Sequence, residues 1–260
     1  MPSDKVPLYD ELGREYDTMV SWPGRLEREW PFIRAQLKLV AARRVLDVGT
    51  GTGMHAIWFA QHGLKAVGTD PSQEMLNKAQ ENAAGTNGVR FEQASLGEHA
   101  ARVDGQFDAI SSLGNTLPHV LTESVLLTAL RDLRAVLRAG GVLIIQQLNY
   151  DRILAIRQRF LGLSSGQQGA EELLFFRFYD FPEHLVPDST LTFNVAIFRR
   201  APSGWTYRVE STKLHPIQSE QLAQSLRTAG FDPVTFYGGY AGEQFDPLTS
   251  NDLIAVAKGA

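Results

Sequence analysis

The chain has 260 residues, of which 43% are hydrophobic, 21% charged and 10% aromatic, a balance that suits a folded core and excludes disorder throughout. It contains no cysteine, which excludes disulfides, zinc–thiolate sites, iron–sulfur clusters and thiol nucleophiles. Net charge is −4, leaving no basic surplus for a nucleic-acid backbone. No run approaches the ~18 apolar residues of a membrane span, and the opening Met-Pro-Ser-Asp-Lys lacks a secretory pattern. The expectation is a cytoplasmic protein with no nucleic-acid or membrane partner, acting on a small molecule. Its length suits one large domain, or one domain with an insertion.

In chain order, 8–20 and 23–40 read as helices, the second with Leu26, Trp30, Ile33, Leu37 and Val40 at helical spacing behind Pro23. Residues 44–48 form a short, nearly apolar strand that runs into Gly49-Thr50-Gly51-Thr52-Gly53 and a helix to about 62. Strands at 65–69, 89–93, 107–112 and 142–147 alternate with helices at 71–83 and 120–138, the last stopped by Ala139-Gly140-Gly141. Apolar strands alternating with helices predict an α/β fold with a parallel sheet covered on both faces. After 163 the rhythm changes. Residues 164–169 read as a flexible loop, and 172–180, 190–199 and 204–214 as strands with no helices between them. A helix at 219–229, with Ser219 as N-cap and Gly230 as its stop, and strands at 233–238 and 252–257 close the chain. The predicted organisation is an N-terminal helical cover (1–42), an α/β domain (43–162 and 216–260) and an antiparallel insertion (163–215).

The glycine run lets the backbone turn tightly and lets a ligand approach main-chain atoms. Asp70 ends the next strand nineteen residues after Gly51, where an acid suits ribose hydroxyls. Nicotinamide and flavin sites favour G-x-G-x-x-G, whereas this spacing is G-x-G-x-G with Met54 in the third glycine's place. Asp47 would disfavour a nearby pyrophosphate and could hold water or an ammonium group. The set resembles the Rossmann-like S-adenosylmethionine-dependent methyltransferases.

Two further elements narrow the resemblance. Leu113-Gly114-Asn115-Thr116-Leu117-Pro118-His119 and Asn149-Tyr150-Asp151-Arg152-Ile153-Leu154 are similar to paired motifs of the glycine and sarcosine N-methyltransferases. That family implies a seven-stranded methyltransferase sheet with an N-terminal helical cover and an antiparallel lid. It also implies that Asp47, Gly49, Thr50, Gly51 and Gly53 form the cofactor turn, with Asp70 on the ribose and Met75, Ser95 and Leu96 about the adenine. Leu113 would offer its backbone to the methionine part and Arg25 would pair with the cofactor carboxylate. Tyr9, Tyr16, Asn115, His119 and Tyr150 would face the substrate, with Asn115 and His119 the catalytic candidates. The family's arginine before Asn-Tyr-Asp grips the substrate carboxylate, but here that position is Leu148, which cannot mimic a bidentate guanidinium. Arg152, Arg157 and Arg177 are the candidate substitutes.

Methyl transfer from a sulfonium needs in-line positioning more than a strong base. His119 has a suitable intrinsic pKa, yet it could equally cap or pack the helix that follows. The remaining histidines lack metal-ligand spacing. The leading reading is therefore N-methylation of a small amine. O-methylation, a nucleotide-dependent oxidoreductase and a non-enzymatic cofactor-binding module remain as alternatives, and the oligomeric state, a homo-oligomer included, is left open.

Overall fold

The apolar runs between the glycine and proline turns assemble into one sheet buried on both faces. In the computed structural model, which describes residues 7–13 and 15–260, this sheet contains β1 (Arg44–Val48), β2 (Lys65–Asp70), β3 (Val89–Gln93), β4 (Phe107–Ser112), β5 (Leu137–Leu148), β10 (Phe231–Tyr237) and β11 (Asp252–Gly259). Its order is β10-β11-β5-β4-β1-β2-β3. The five strands from β5 to β3 run parallel, and β11 is antiparallel to both its neighbours. Successive residues of β11 serve opposite faces, as the strand period requires. Leu253, Ala255 and Ala257 pack beneath α7 (Glu123–Val136) and α9 (Ser219–Thr228), while Ile254 and Val256 pack beneath α3 (Trp22–Leu39) and α4 (Met54–Gln61). α5 (Gln73–Asn82) buries Met75, Leu76 and Ala79, and a short α6 (His99–Arg102) precedes β4.

After α8 (Tyr150–Ala155) a second sheet begins, with order β6 (Ser164–Gln168), β7 (Glu171–Asp180), β8 (Leu191–Ala201), β9 (Gly204–Leu214). Leu173, Phe175, Val195 and Ile197 of this sheet form a core with Leu8 and Leu12 of α1 (Pro7–Leu12). Tyr179, Leu191 and Leu214 pack on Tyr150 and Ile153 of α8.

Four local expectations change. Residues 164–168 are a strand, not a loop, paired antiparallel with β7 from Ser164↔Phe175 to Gln168↔Glu171. Their polar residues hid them because an edge strand needs backbone pairing more than apolar side chains. The first predicted helix divides into α1 and α2 (Tyr16–Met19), because Glu15 between them turns to pair with Arg199 and Arg208 of the second sheet, at 2.7 and 2.8 Å. The long helix spans Glu123–Val136, capped by Thr122 Oγ1. It ends before the Gly-Gly pair because Leu137 pairs with Phe107 and Arg138 reaches Asp108. Ser219 is the first helical residue of α9 rather than its cap, and its N–H donates to the Asp151 carboxylate at 2.9 Å.

Asp108 ties the lower edge of the main sheet together. Its Oδ2 accepts from the Arg43 and Arg44 N–H groups at 2.8 Å each, and its Oδ1 accepts from Arg138 Nε at 2.6 Å. Partial burial favours its neutral form, but the Arg43 N–H and the Arg138 guanidinium outweigh this and hold the carboxyl below its ordinary range. Asp108→Asn is expected to cost about 1 kcal/mol at pH 7, allowing for the site's partial exposure. A depressed folded-state pKa contributes stability that is complete above the unfolded value of about 3.9 and is lost as pH falls through the folded value. Urea unfolding should therefore show the gap between the two proteins narrowing at acid pH, and a pH-independent gap would count against this assignment.

Candidate active site

The site grows from the turn after β1. Thr50 N–H donates to Thr69 O at 2.8 Å, and Gly51 N–H donates to Asp70 Oδ2 at 2.9 Å. The other Asp70 oxygen accepts from Ser72 N–H, also at 2.9 Å. The ends of β1 and β2 are thus stitched together at the carboxyl edge of the sheet, where ligands of such sheets bind. Gly51 has φ +55°, and an added Cβ would find nothing nearer than Tyr16 at 3.8 Å, so its open side faces free space. Gly53 differs. A Cβ there would come within 2.8 Å of both Ala79 and Phe91, so this glycine lets α4 pack against α5 and β3 and does not face the cavity.

Asp47 lies behind the turn, 2% exposed, accepting from Thr50 Oγ1 at 2.7 Å and Ser111 Oγ at 2.8 Å. Burial pushes its carboxyl up against these two bonds. Asp47, Thr50 and Gly53 therefore shape the turn from within, while Gly49 and Gly51 reach its open surface.

That surface is one wall of a cavity of about 570 Å³. Asp70, Met75, Ser95, Leu96 and Leu113 line it together with Gly49 and Gly51. Tyr9, Tyr16 and His119 close it from the side. His119 Nε2 is 3.0 Å from the Tyr9 hydroxyl, their rings edge to face with centroids 5.3 Å apart. Burial pushes the His119 imidazole down to about 4 and the Tyr9 phenol far up, so both are neutral near pH 7.

A smaller cavity of about 250 Å³ adjoins it, with Tyr9, Tyr16 and Gly114 lining both. Arg25 and Asn115 open onto this second space rather than the first. Burial disfavours the Arg25 charge, but Glu29 more than offsets that, accepting from Arg25 Nε at 2.8 Å. Glu29 also meets His55 Nε2 at 2.7 Å. Asn115 has φ +68° and is held from behind, its Nδ2 donating to Tyr150 Oη at 3.0 Å and its Oδ1 accepting from Leu148 N–H at 3.1 Å. Tyr150 is fully buried and lines neither cavity. It supports Asn115 from one layer back instead of facing the space itself.

Three contributions depend on tertiary packing. Ser211, Thr212 and Lys213 of β9 complete the far wall of the larger cavity, and only the packing of the second sheet brings them there. Asp17 accepts from Trp22 Nε1 at 2.7 Å, Thr52 Oγ1 at 2.5 Å and Asn82 Nδ2 at 3.1 Å, latching α2 onto the glycine turn. Arg177 enters the smaller cavity from β7. Among the three candidate arginines it alone lines either of these two cavities.

Because burial alone depresses His119, its imidazole resonances are expected to stay those of a neutral ring down to about pH 4. An NMR titration with an inflection near 6.5 would contradict the enclosed geometry.

A family model described as "Methyltransferase domain" matches residues 45–141. The chain is 32% identical over 241 residues to the glycine/sarcosine N-methyltransferase of Parasynechococcus marenigrum (strain WH8102), covering 92% of this chain and 80% of that one. It is 29% identical over 229 residues to the glycine/sarcosine N-methyltransferase of Aphanothece halophytica, covering 87% and 80%. The CcbJ methyltransferase of Streptomyces caelestis shares the fold, with a TM-score of 0.75 at 23% identity over 99% of both chains. The chain thus belongs to the glycine/sarcosine N-methyltransferase family of S-adenosylmethionine-dependent methyltransferases.

Proposed function

We propose that this S-adenosylmethionine-dependent methyltransferase methylates the nitrogen of a small amine seated in the smaller cavity, with the cofactor in the larger one. The observation that carries this reading is the shared wall of Tyr9, Tyr16 and Gly114, which puts the two spaces side by side. The residues present suit the cofactor. The cavity of about 570 Å³ is large enough for it, and the open side of Gly51 leaves room for a ligand to approach the backbone. Asp70 would take the ribose hydroxyls, Met75, Ser95 and Leu96 the adenine and Leu113 the methionine backbone, while Arg25, in the smaller cavity beside Gly114 of the shared wall, would reach the methionine carboxylate across that wall. When bound, S-adenosylmethionine supplies an electrophilic methyl group on a sulfonium.

The chain's own residues then have modest tasks. Tyr9 and Tyr16 exclude water from the junction and present ring faces that favour a cationic centre. Asn115, its rotamer set by Tyr150 and the Leu148 N–H, offers a fixed polar edge to the acceptor. His119 lines the larger cavity and connects to the acceptor space through the Tyr9 hydroxyl, and as a neutral ring it does not compete for the proton of an amine that arrives uncharged. Positioning of nucleophile and methyl in line supplies most of the rate.

The named relatives act on glycine and sarcosine. Leucine at 148 supports a different acceptor here, because an apolar side chain cannot replace a bidentate carboxylate clamp. With methyl-labelled S-adenosylmethionine, the protein is expected to turn over glycine and sarcosine poorly at millimolar concentration and to transfer label to the nitrogen of other small amines. Efficient glycine turnover would refute the first part, and label recovered on oxygen would refute the second. Calorimetric titration should show S-adenosylmethionine binding and no NAD(H) binding.

A further inference from the structure

We infer that Arg177 is this chain's anion clamp, selecting a methyl acceptor that carries a carboxylate and presenting it from the second sheet instead of from the end of β5. The inference rests on the two-cavity reading above and names the acceptor's chemical class.

The inward row of β7 reads Leu173, Phe175, Arg177, Tyr179, and the three neighbours of Arg177 in that row are fully buried. A guanidinium in such a row needs a reason. Its Nε is shielded from solvent without a hydrogen-bond partner, and no carboxylate among the described residues lies within ion-pair distance. The carboxylates that line the same cavity are engaged elsewhere. Glu29 is held by Arg25 and His55, and Asp252 accepts from Gln146 Nε2 at 2.8 Å. Burial disfavours the Arg177 charge, and the proximity of Arg25 adds to the effect. A half-buried guanidinium whose shielded Nε has no acceptor is costly, and an anionic ligand is the partner that would relieve it. Arg25 and Arg28 line the same cavity but both face Glu29, so the cation there without a carboxylate partner is Arg177.

The location also bears on which carboxylate. Leu148 and Arg177 line the same small space but come from different sheets. A clamp on β7 sets a different separation between the nitrogen and the carboxylate than one at 148. Amino acids whose two groups are spaced differently from those of glycine are therefore the acceptors to compare with it.

The test compares the wild-type chain with Arg177→Met, which keeps the bulk, and Arg177→Lys, which keeps the charge without the planar fork. Acceptors are glycine and a series of ω-amino acids of three to six carbons, each beside its carboxamide. The wild type should prefer at least one acid over its amide by about 10- to 100-fold in kcat/KM, the scale of a charge-assisted pair. Arg177→Met should erase this preference while S-adenosylhomocysteine still binds, and Arg177→Lys should keep part of it. A second arm needs no turnover. Acetate and propionate are titrated into protein saturated with S-adenosylhomocysteine, and wild type should bind them while Arg177→Met does not. Equal treatment of acid and amide by wild type, or a preference that survives in Arg177→Met, overturns the proposal. So does a variant that weakens only the cofactor. Carboxylate binding lost in Arg177→Met, with label going to oxygen, would sustain the clamp and defeat the N-methylation reading.

Discussion

The join between the turn after β1 and the end of β2 is the constraint on which the site depends. Asp70 accepts from Gly51 N–H while Thr69 O accepts from Thr50 N–H, so the glycine turn cannot relax without unpairing two buried strand ends. The same turn sets the start of α4 through Gly53 and offers Thr52 to Asp17. A floor, one wall and the anchor of the N-terminal segment all descend from two hydrogen bonds. Asp47 supports them from beneath, its two oxygens already taken by Thr50 and Ser111. Its burial makes it a structural part of the turn.

The second sheet contributes in a different way. It reaches the larger cavity through Ser211–Lys213 and the smaller one through Arg177 and Tyr179, while the arginines of β8 and β9 grip Glu15. The main sheet thus builds the glycine turn and most of the larger cavity. The second sheet shapes the space beside it, where the proposed acceptor would sit.

Legibility in the sequence follows that division. The central strands were readable because a strand buried on both faces is apolar throughout and is bounded by glycine or acidic turns, as Arg44–Val48 and Lys65–Asp70 are. Gly49, Gly51, Asp70, Met75, Leu96 and Leu113 lie close to such strand ends, so chain order alone gathers them. β6 was not readable, since Ser-Ser-Gly-Gln-Gln has no periodic apolar signal and owes its conformation to pairing with β7. Tyr150 was misplaced by one layer because a motif gives a position in the chain and not the direction of a side chain. Arg177 was readable in part: it interrupts an alternating apolar row in β7. What the sequence could not provide was the absence of a partner, which depends on where Glu29 and Asp252 spend their own hydrogen bonds.

The latch at Asp17 has a thermodynamic side. One carboxylate collects donors from α3, the glycine turn and α5, while its neighbour in sequence, Glu15, is held by two arginines of the second sheet. The helix that follows Glu15 and carries Asp17 is only four residues long, too short to persist on its own, so its order is borrowed from both sides at once. Tyr16, which borders both cavities, is carried by that helix. Ligand occupancy and the local folding of this segment are therefore linked equilibria: whatever binds against Tyr16 also stabilises the segment, and loosening the segment weakens whatever is bound there.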